Sequence, residues 1–278
     1  MTRIDAHHHF WHPARGDYGW MPADDPILSR PYCPEDLAPT LHDTGIAQTV
    51  LVQAAPTVGE TEYLLGIADS TPYVAAVVGW IDFEDSSQIS TLERLARHPK
   101  FVGVRPMIQD IPDVDWMLKP SVQWAYEALV DLDLTFDCLG FPRHQANFLT
   151  LLQRYPDLRA VLDHCLKPQL STHSEAQFKD WAEGMTRLAE GTSACCKLSG
   201  VVTEADDMPD EALVKRYTDH VIAAFGPERV MWGSDWPVAR LRCEYTDWLS
   251  MAERLTADQT KNARERIFGG TAAAFYRI

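Results

Sequence analysis

The chain alternates between two kinds of segment. Short apolar runs, such as Val-Leu-Val-Gln from residue 50 and Val-Ala-Ala-Val-Val from residue 74, give way to longer stretches with apolar residues at helical spacing. Eight runs read as strands: 2–9, 49–54, 74–80, 102–106, 134–139, 160–164, 194–199 and 230–234. Helical patterns fill most of the gaps, at 34–44, 60–69, 87–97, 121–132, 145–154, 175–190 and 210–225. Three more close the chain at 245–255, 257–268 and 271–276. Unbroken apolar strands are buried on both faces, which is the habit of parallel sheets covered by helices. The unit repeats every roughly thirty to forty residues, the length of a strand, a helix and its crossover. Eight such units predict an α/β fold of the (β/α)₈ TIM-barrel type, in one domain spanning 1–278. An open doubly wound sheet is the competing architecture, but no Gly-x-Gly-x-x-Gly follows any strand. The Pro-rich stretch 22–39 reads as a long loop after the first strand, a lid or a mouth wall.

Charge and composition narrow the function classes. A formal net charge of −15 repels phosphate backbones and anionic membranes, so nucleic-acid and membrane partners are not expected. No apolar run is long enough to span a bilayer, and Met1-Thr2-Arg3 leads straight into a strand rather than into a signal peptide. The six cysteines show no C-x-x-C spacing and several lie in apolar runs, so reduced thiols in a cytoplasmic enzyme are expected. The aromatic-rich loop from Trp116 to Trp124 is a candidate contact surface for a homo-oligomer.

The candidate chemistry begins at the N-terminus, with Asp5-Ala6-His7-His8-His9-Phe10-Trp11-His12. On an extended segment His7 and His9 share a face and His8 takes the other. Two imidazoles so placed suit a metal or a polarised carbonyl. The flanking Ile4-Asp5 and Phe10-Trp11 look like core sequence, unlike an expression tag. In a barrel, function collects at the C-terminal strand ends, and unusual polar residues fall there in unit after unit. They are Gln53, Arg105, His144, Asp163-His164 with Lys167 beyond, Lys197, and Asp235-Trp236. Asp235 follows an apolar run, so its carboxylate is placed to take a proton from water, bind a metal or cap the next helix. His164 is open as a ligand, a proton carrier or a core histidine. Lys197 lies inside Cys195-Cys196-Lys197-Leu198, a costly place unless its ammonium reaches a polar mouth or an ion pair. The planar fork of Arg105 suits a carboxylate or a hydroxyl-rich ligand.

Taken in order, Asp5-Ala6-His7-x-His9-Phe10-Trp11, Gly103-Val104-Arg105, Leu162-Asp163-His164-x-x-Lys167-Pro168, Lys197-Leu198-Ser199-Gly200 and Met231-Trp232-Gly233-Ser234-Asp235-Trp236-Pro237 resemble the amidohydrolase superfamily. More narrowly they are similar to its sugar-lactone branch, fuconolactonase-like and rhamnonolactonase-like. The resemblance implies a distorted (β/α)₈ barrel with His7, His9, His164 and Asp235 as the central quartet at its mouth. It departs from many superfamily members at the fifth strand, where Phe136-Asp137-Cys138-Leu139-Gly140 offers no metal-binding His or Lys. That implies at most one divalent ion, zinc-like, on His7, His9 and Asp235, or no required metal.

The expected reaction is hydrolysis of a sugar lactone with Asp235 as general base. A metal ion, a protonated histidine, Lys197 or Arg105 would polarise the carbonyl, and Asp235 or His164 would return the proton. Gln53, Arg105, His144, Lys197 and Trp236 are the expected substrate contacts. Two rivals stay open: a metal-dependent non-oxidative decarboxylase of an aromatic or unsaturated acid, and a barrel that only binds a metabolite.

Overall fold

The computed structural model describes residues 1–172 and 174–278. Eight parallel strands pair in sequence order. They are β1 (Ile4–His8), β2 (Gln48–Val52), β3 (Val74–Gly79), β4 (Phe101–Val104), β5 (Thr135–Cys138), β6 (Arg159–Leu162), β7 (Cys195–Leu198) and β8 (Val230–Trp232). The helices are α1 (Pro34–Thr44), α2 (Val58–Ser70), α3 (Ile89–Leu95), α4 (Gln123–Asp131), α5 (Gln145–Arg154), α6 (Glu175–Gly191) and α7 (Glu211–Phe225). Then come α8 (Tyr245–Leu255), α9 (Lys261–Glu265) and α10 (Thr271–Tyr276). This is a (β/α)₈ barrel.

The seam between β8 and β1 is closed just above β8. Asp235 donates its amide to His7 O at 2.8 Å, and His9 donates to Trp236 O at 2.7 Å. The buried Asp5 carboxylate binds across the same seam, accepting from the amides of Ser234 (2.8 Å) and His7 (3.1 Å) and from Tyr245 OH (3.2 Å). Gly233 is needed here, because a Cβ would lie 2.7 Å from that of His7.

Two apolar layers hold the barrel. The outer one packs helices on strands, with Trp181, Trp232, Trp248 and Tyr217 fully buried. The inner one fills the barrel axis with Ile4, Ala6, Val50, Val52, Ala76, Val78, Val161 and Met231, plugged from below by Ala272 and Tyr276 of α10. The dry lower half is thus a packed core, as small barrels require.

Each strand stops one or two residues short of its apolar run, so the polar residues that follow sit in the loops above the sheet. The expected helix 257–268 is corrected. It breaks into α9 and a five-residue π-turn, Arg266–Gly270, where a Cβ on Gly269 would meet Thr2 O at 2.0 Å. Close approach of the N-terminal backbone, invisible to helical periodicity, interrupts the helix. The indoles of Trp116 and Trp124 turn inward, donating to Glu84 (3.1 Å) and Phe83 O (2.8 Å) rather than standing out as a bare contact surface. All six cysteines are free, and no described helix is long and apolar enough to cross a membrane.

Candidate active site

The site grows out of a bulge. The β1–β2 register shifts between Asp5 and His8. Ala6 therefore packs in the inner core while His7 next to it also faces the axis, among His164, Asp163 and Lys197. Bulges re-aim side chains in this way at barrel rims. His8 points outward to Thr49 Oγ1 at 2.8 Å, and His9 turns back in, with Nδ1 donating to Val52 O at 2.8 Å.

A second irregularity follows β6. His164, Cys165, Leu166 and Lys167 all adopt left-handed backbone, with φ between 51° and 55°. Non-glycine residues held there cost on the order of 1–2 kcal/mol each. The turn is held by Trp181 Nε1 donating to Cys165 O (2.9 Å), Lys167 N to His164 O (2.8 Å), and a His164 Nδ1–Ser199 Oγ contact of 2.9 Å. Gly200, at φ +59°, lies underneath; a Cβ there would come within 2.5 Å of His164 Nδ1 and 2.8 Å of Asp235 Oδ2. Asp235 is itself left-handed, at φ +55°. Its carboxylate turns toward the imidazoles rather than capping a helix.

The outcome is one cluster. Asp235 Oδ1 lies 3.4 Å from His9 Nε2, 3.7 Å from His7 Nε2 and 3.8 Å from His164 Nε2. His7 and His9 approach at 3.2 Å through Nε2. Burial drives all three imidazoles toward the neutral form: His164 falls to about 4, His9 is lowered, and His7, also beside Lys197, lies well below its ordinary value. Burial pushes Asp235 up, but His164, His9 and Lys167 outweigh it and hold the carboxyl below the usual range.

A layer of charge lies just beneath. Lys197 is fully buried, with Nζ 2.5 Å from Asp137 Oδ2, 3.1 Å from Asp163 Oδ1 and 3.1 Å from His7 Nδ1. Tyr276 OH donates to the same Asp137 oxygen at 2.8 Å. Burial pushes Asp137 up to about 6 against the pull of Lys197. Burial pushes Asp163 the same way, yet Lys197, His7 and Arg105 hold it well below the carboxylate range. Arg105 Nη1 donates to Asp163 Oδ2 at 3.3 Å and lies 3.4 Å from His7 Nε2, while Nη2 donates to Gln53 O.

Above the cluster opens a cavity of about 170 Å³, lined among others by His9, Trp11, Trp20, Arg105, Met107, Gln109, His164, Lys167 and Asp235. Of the expected substrate contacts, Arg105 lines this space, whereas Lys197, Gln53, His144 and Trp236 do not. The ammonium of Lys197 turns down to the buried carboxylates. The Nε2 of Gln53 donates to Arg105 O (2.6 Å) and Met107 Sδ (3.2 Å). The Nδ1 of His144 accepts the Phe141 amide at 2.9 Å. Trp236 packs edge-on against Tyr32 and Phe10. The sequence reading missed Trp20, Met107 and Gln109 in loops, and Asp137 and Tyr276 beneath. Asp137 alone left a signal, a carboxylate inside an apolar strand.

The loop after β1 makes the aromatic wall. It is pinned by paired backbone bonds between Trp11 and Tyr32 (3.1 and 2.9 Å), and Trp20 meets Trp11 edge-on at 5.6 Å. Trp20 Nε1 donates to Ala54 O at 2.6 Å, and the buried Glu60 carboxylate accepts from the amides of Ala54 and Ala55. Burial, partly offset by those amides, pushes Glu60 up to about 8.

His7 Nε2, His9 Nε2 and Asp235 Oδ1 fit a divalent ion by distance. Bonds of about 2.0–2.1 Å to a tetrahedral ion put neighbouring ligands roughly 3.3–3.4 Å apart, close to the separations found. Two imidazoles and a carboxylate are also a zinc-competent donor set, and the Nδ1–H···O=C bond behind His9 is the usual support for a metal ligand.

Comparison with known proteins places this geometry. The profile of the amidohydrolase family matches residues 4–278. An L-fucono-1,5-lactonase of Burkholderia ambifaria is 44% identical over 282 residues, spanning 99% of this chain and 96% of its own. Another from Burkholderia multivorans is 35% identical at the same coverage. A Burkholderia multivorans amidohydrolase, solved with bound zinc, superposes over 100% of both chains with a TM-score of 0.95 at 33% identity.

Proposed function

This chain belongs to the amidohydrolase family, and from that premise we propose that it hydrolyses a sugar lactone, of the L-fucono-1,5-lactone kind, to the open sugar acid. The observation that carries the reading is the Asp235 carboxylate set within 3.4–3.8 Å of three imidazoles at the floor of a cavity. The 44% identical L-fucono-1,5-lactonase supports the substrate class.

The lactone carbonyl lies over the cluster, with its ring against the Trp11–Trp20 wall. Asp235 takes a proton from water as the water oxygen bonds to the carbonyl carbon. Arg105 and His7 direct N–H groups toward the charge that develops on the carbonyl oxygen. The ring C–O bond then breaks, and the proton held by Asp235 returns to the departing alkoxide, directly or through His164. Gln109 and Lys167 are placed to meet the sugar hydroxyls. Alternatively, with Nε2 of His7 deprotonated, His7, His9 and Asp235 would hold one zinc-like ion, which when bound would supply Lewis-acid polarisation in place of the His7 N–H.

A pH-indicator assay against a panel of aldonolactones, including L-fucono-1,5-lactone, tests the proposal. Acid release from at least one sugar lactone is the expected result. Silence on every lactone, with loss of carboxylate from an aromatic acid instead, would replace it by decarboxylation.

A further inference from the structure

Of the cationic side chains around the cluster, Arg105, Lys167 and Lys197, the last is the one that the proposed reaction leaves without a task. It is fully buried and never reaches the cavity, yet its Nζ lies 3.1 Å from His7 Nδ1. An ammonium has protons to give and no lone pair, so the nitrogen it faces must be the acceptor. We infer that Lys197 is a positioning residue that fixes His7 in the Nε2–H tautomer, aiming its ring proton up at His9 and Asp235 and withholding its lone pair from a metal. The inference adds to the proposed lactone reaction, in which His7 donates to the carbonyl oxygen, but the tautomer itself does not rest on it.

The neighbouring contacts bear this out. The Nδ1 of His9 donates to Val52 O, which leaves its Nε2 as an acceptor. That acceptor lies 3.2 Å from His7 Nε2, a hydrogen bond only if His7 carries its proton there. The opposite tautomer would set two lone pairs face to face at 3.2 Å and an N–H against an ammonium at 3.1 Å. Two contacts favour that opposite form, and both are longer: Asp163 Oδ1 at 3.5 Å from Nδ1, and Arg105 Nη1 at 3.4 Å from Nε2. Asp163 Oδ1 is also nearer to Lys197 than to His7, and Arg105 has Asp163 and Gln53 O as partners.

A metal ligand histidine ordinarily sets its second nitrogen, as donor, against a carboxylate or carbonyl. His9 has that arrangement and His7 has its reverse. A divalent ion at this site must therefore displace the proton from His7 Nε2 while a cation faces Nδ1. Lys197 rests in turn on Asp137, and Asp137 on Tyr276. The metal preference of the mouth is thereby tied to the helix that plugs the base.

The test reads the tautomer directly. In metal-free protein with ¹⁵N-labelled histidine, two-bond nitrogen–proton correlation spectra distinguish the two neutral forms, and His7→Gln identifies the His7 signals. An Nε2–H pattern is expected; an Nδ1–H or imidazolium pattern overturns the inference. Zinc affinity, measured by competition with a chromophoric chelator, gives the second reading. In Lys197→Met, with folding checked by circular dichroism, affinity rises at least about tenfold. An unchanged or weakened affinity in the folded variant overturns the inference. Should that variant fail to fold, the spectrum of the unsubstituted protein decides alone. Neither reading uses turnover, so a failure here is distinct from a failure to hydrolyse lactones.

Discussion

The two walls of the mouth are built on opposite plans. From β6 to β8 the wall is made of backbone forced into left-handed conformations, His164 to Lys167 and Asp235, over a glycine that leaves no room for a methyl group. From β1 to β2 it is a long loop carrying Trp11 and Trp20, hung from Ala54 by an indole N–H and, behind that, from Glu60. The first wall holds its groups where little else could hold them, and local strain persists because surrounding contacts over-determine it. The second offers flat apolar area held by hydrogen bonds to its neighbours. The proposed reaction would draw its base from the first wall and its aromatic contact from the second.

Four substitutions bear on that division, in descending order of effect. Asp235→Asn removes the base while keeping its shape, and kcat in the lactone assay should fall by about a thousandfold; retention of most activity would move the chemistry elsewhere. Gly200→Ala puts a methyl into His164 and Asp235 from a positive-φ position. A loss of about a hundredfold in kcat/KM and about 2–4 kcal/mol of stability is expected, read by kinetics and denaturant melts. Trp20→Ala should raise KM by about tenfold with kcat within about threefold, since it removes aromatic contact area and no reacting group. A kcat collapse would blur the distinction between the walls.

The smallest effect concerns pH. A carboxyl raised from 4.5 to about 8 binds more protons folded than unfolded. The stability it contributes is full below about 4.5 and is lost as pH climbs through 8, on the order of 5 kcal/mol at most. Glu60→Gln should therefore narrow the difference in Tm between pH 5 and pH 9. An unaltered difference would show that the aromatic wall is not pH-sensitive through this residue.

Much of the architecture was legible because eight apolar runs at a regular spacing admit few alternatives. The sequence also marked His7, His9, His164, Arg105 and Asp235, since each lies at or just past the end of an apolar strand and the barrel converges such positions. Side-chain direction one or two residues beyond a strand was not legible. Gln53, His144 and Trp236 occupy equally promising positions and turn away, because loop geometry rather than strand alternation aims them. Lys197 follows strand alternation and points inward, but at a depth below the mouth that no pattern encodes. The left-handed turn left no trace either: Asp163-His164-Cys165-Leu166-Lys167 contains no glycine, and only Trp181, Ser199 and Gly200, from other elements, make it tenable.

Tyr276 gives the chain's last turn a reach beyond its own end of the barrel. Its hydroxyl is one of only two partners found for Asp137 Oδ2 among the described residues, the other being Lys197. Trimming the tail to before Tyr276 would leave that buried oxygen with Lys197 as its one remaining hydrogen-bond partner among the described residues, and so alter the charge balance behind His7. An affinity handle added after Ile278 emerges away from the mouth and is the safer alteration; a deletion of three residues is the hazardous one.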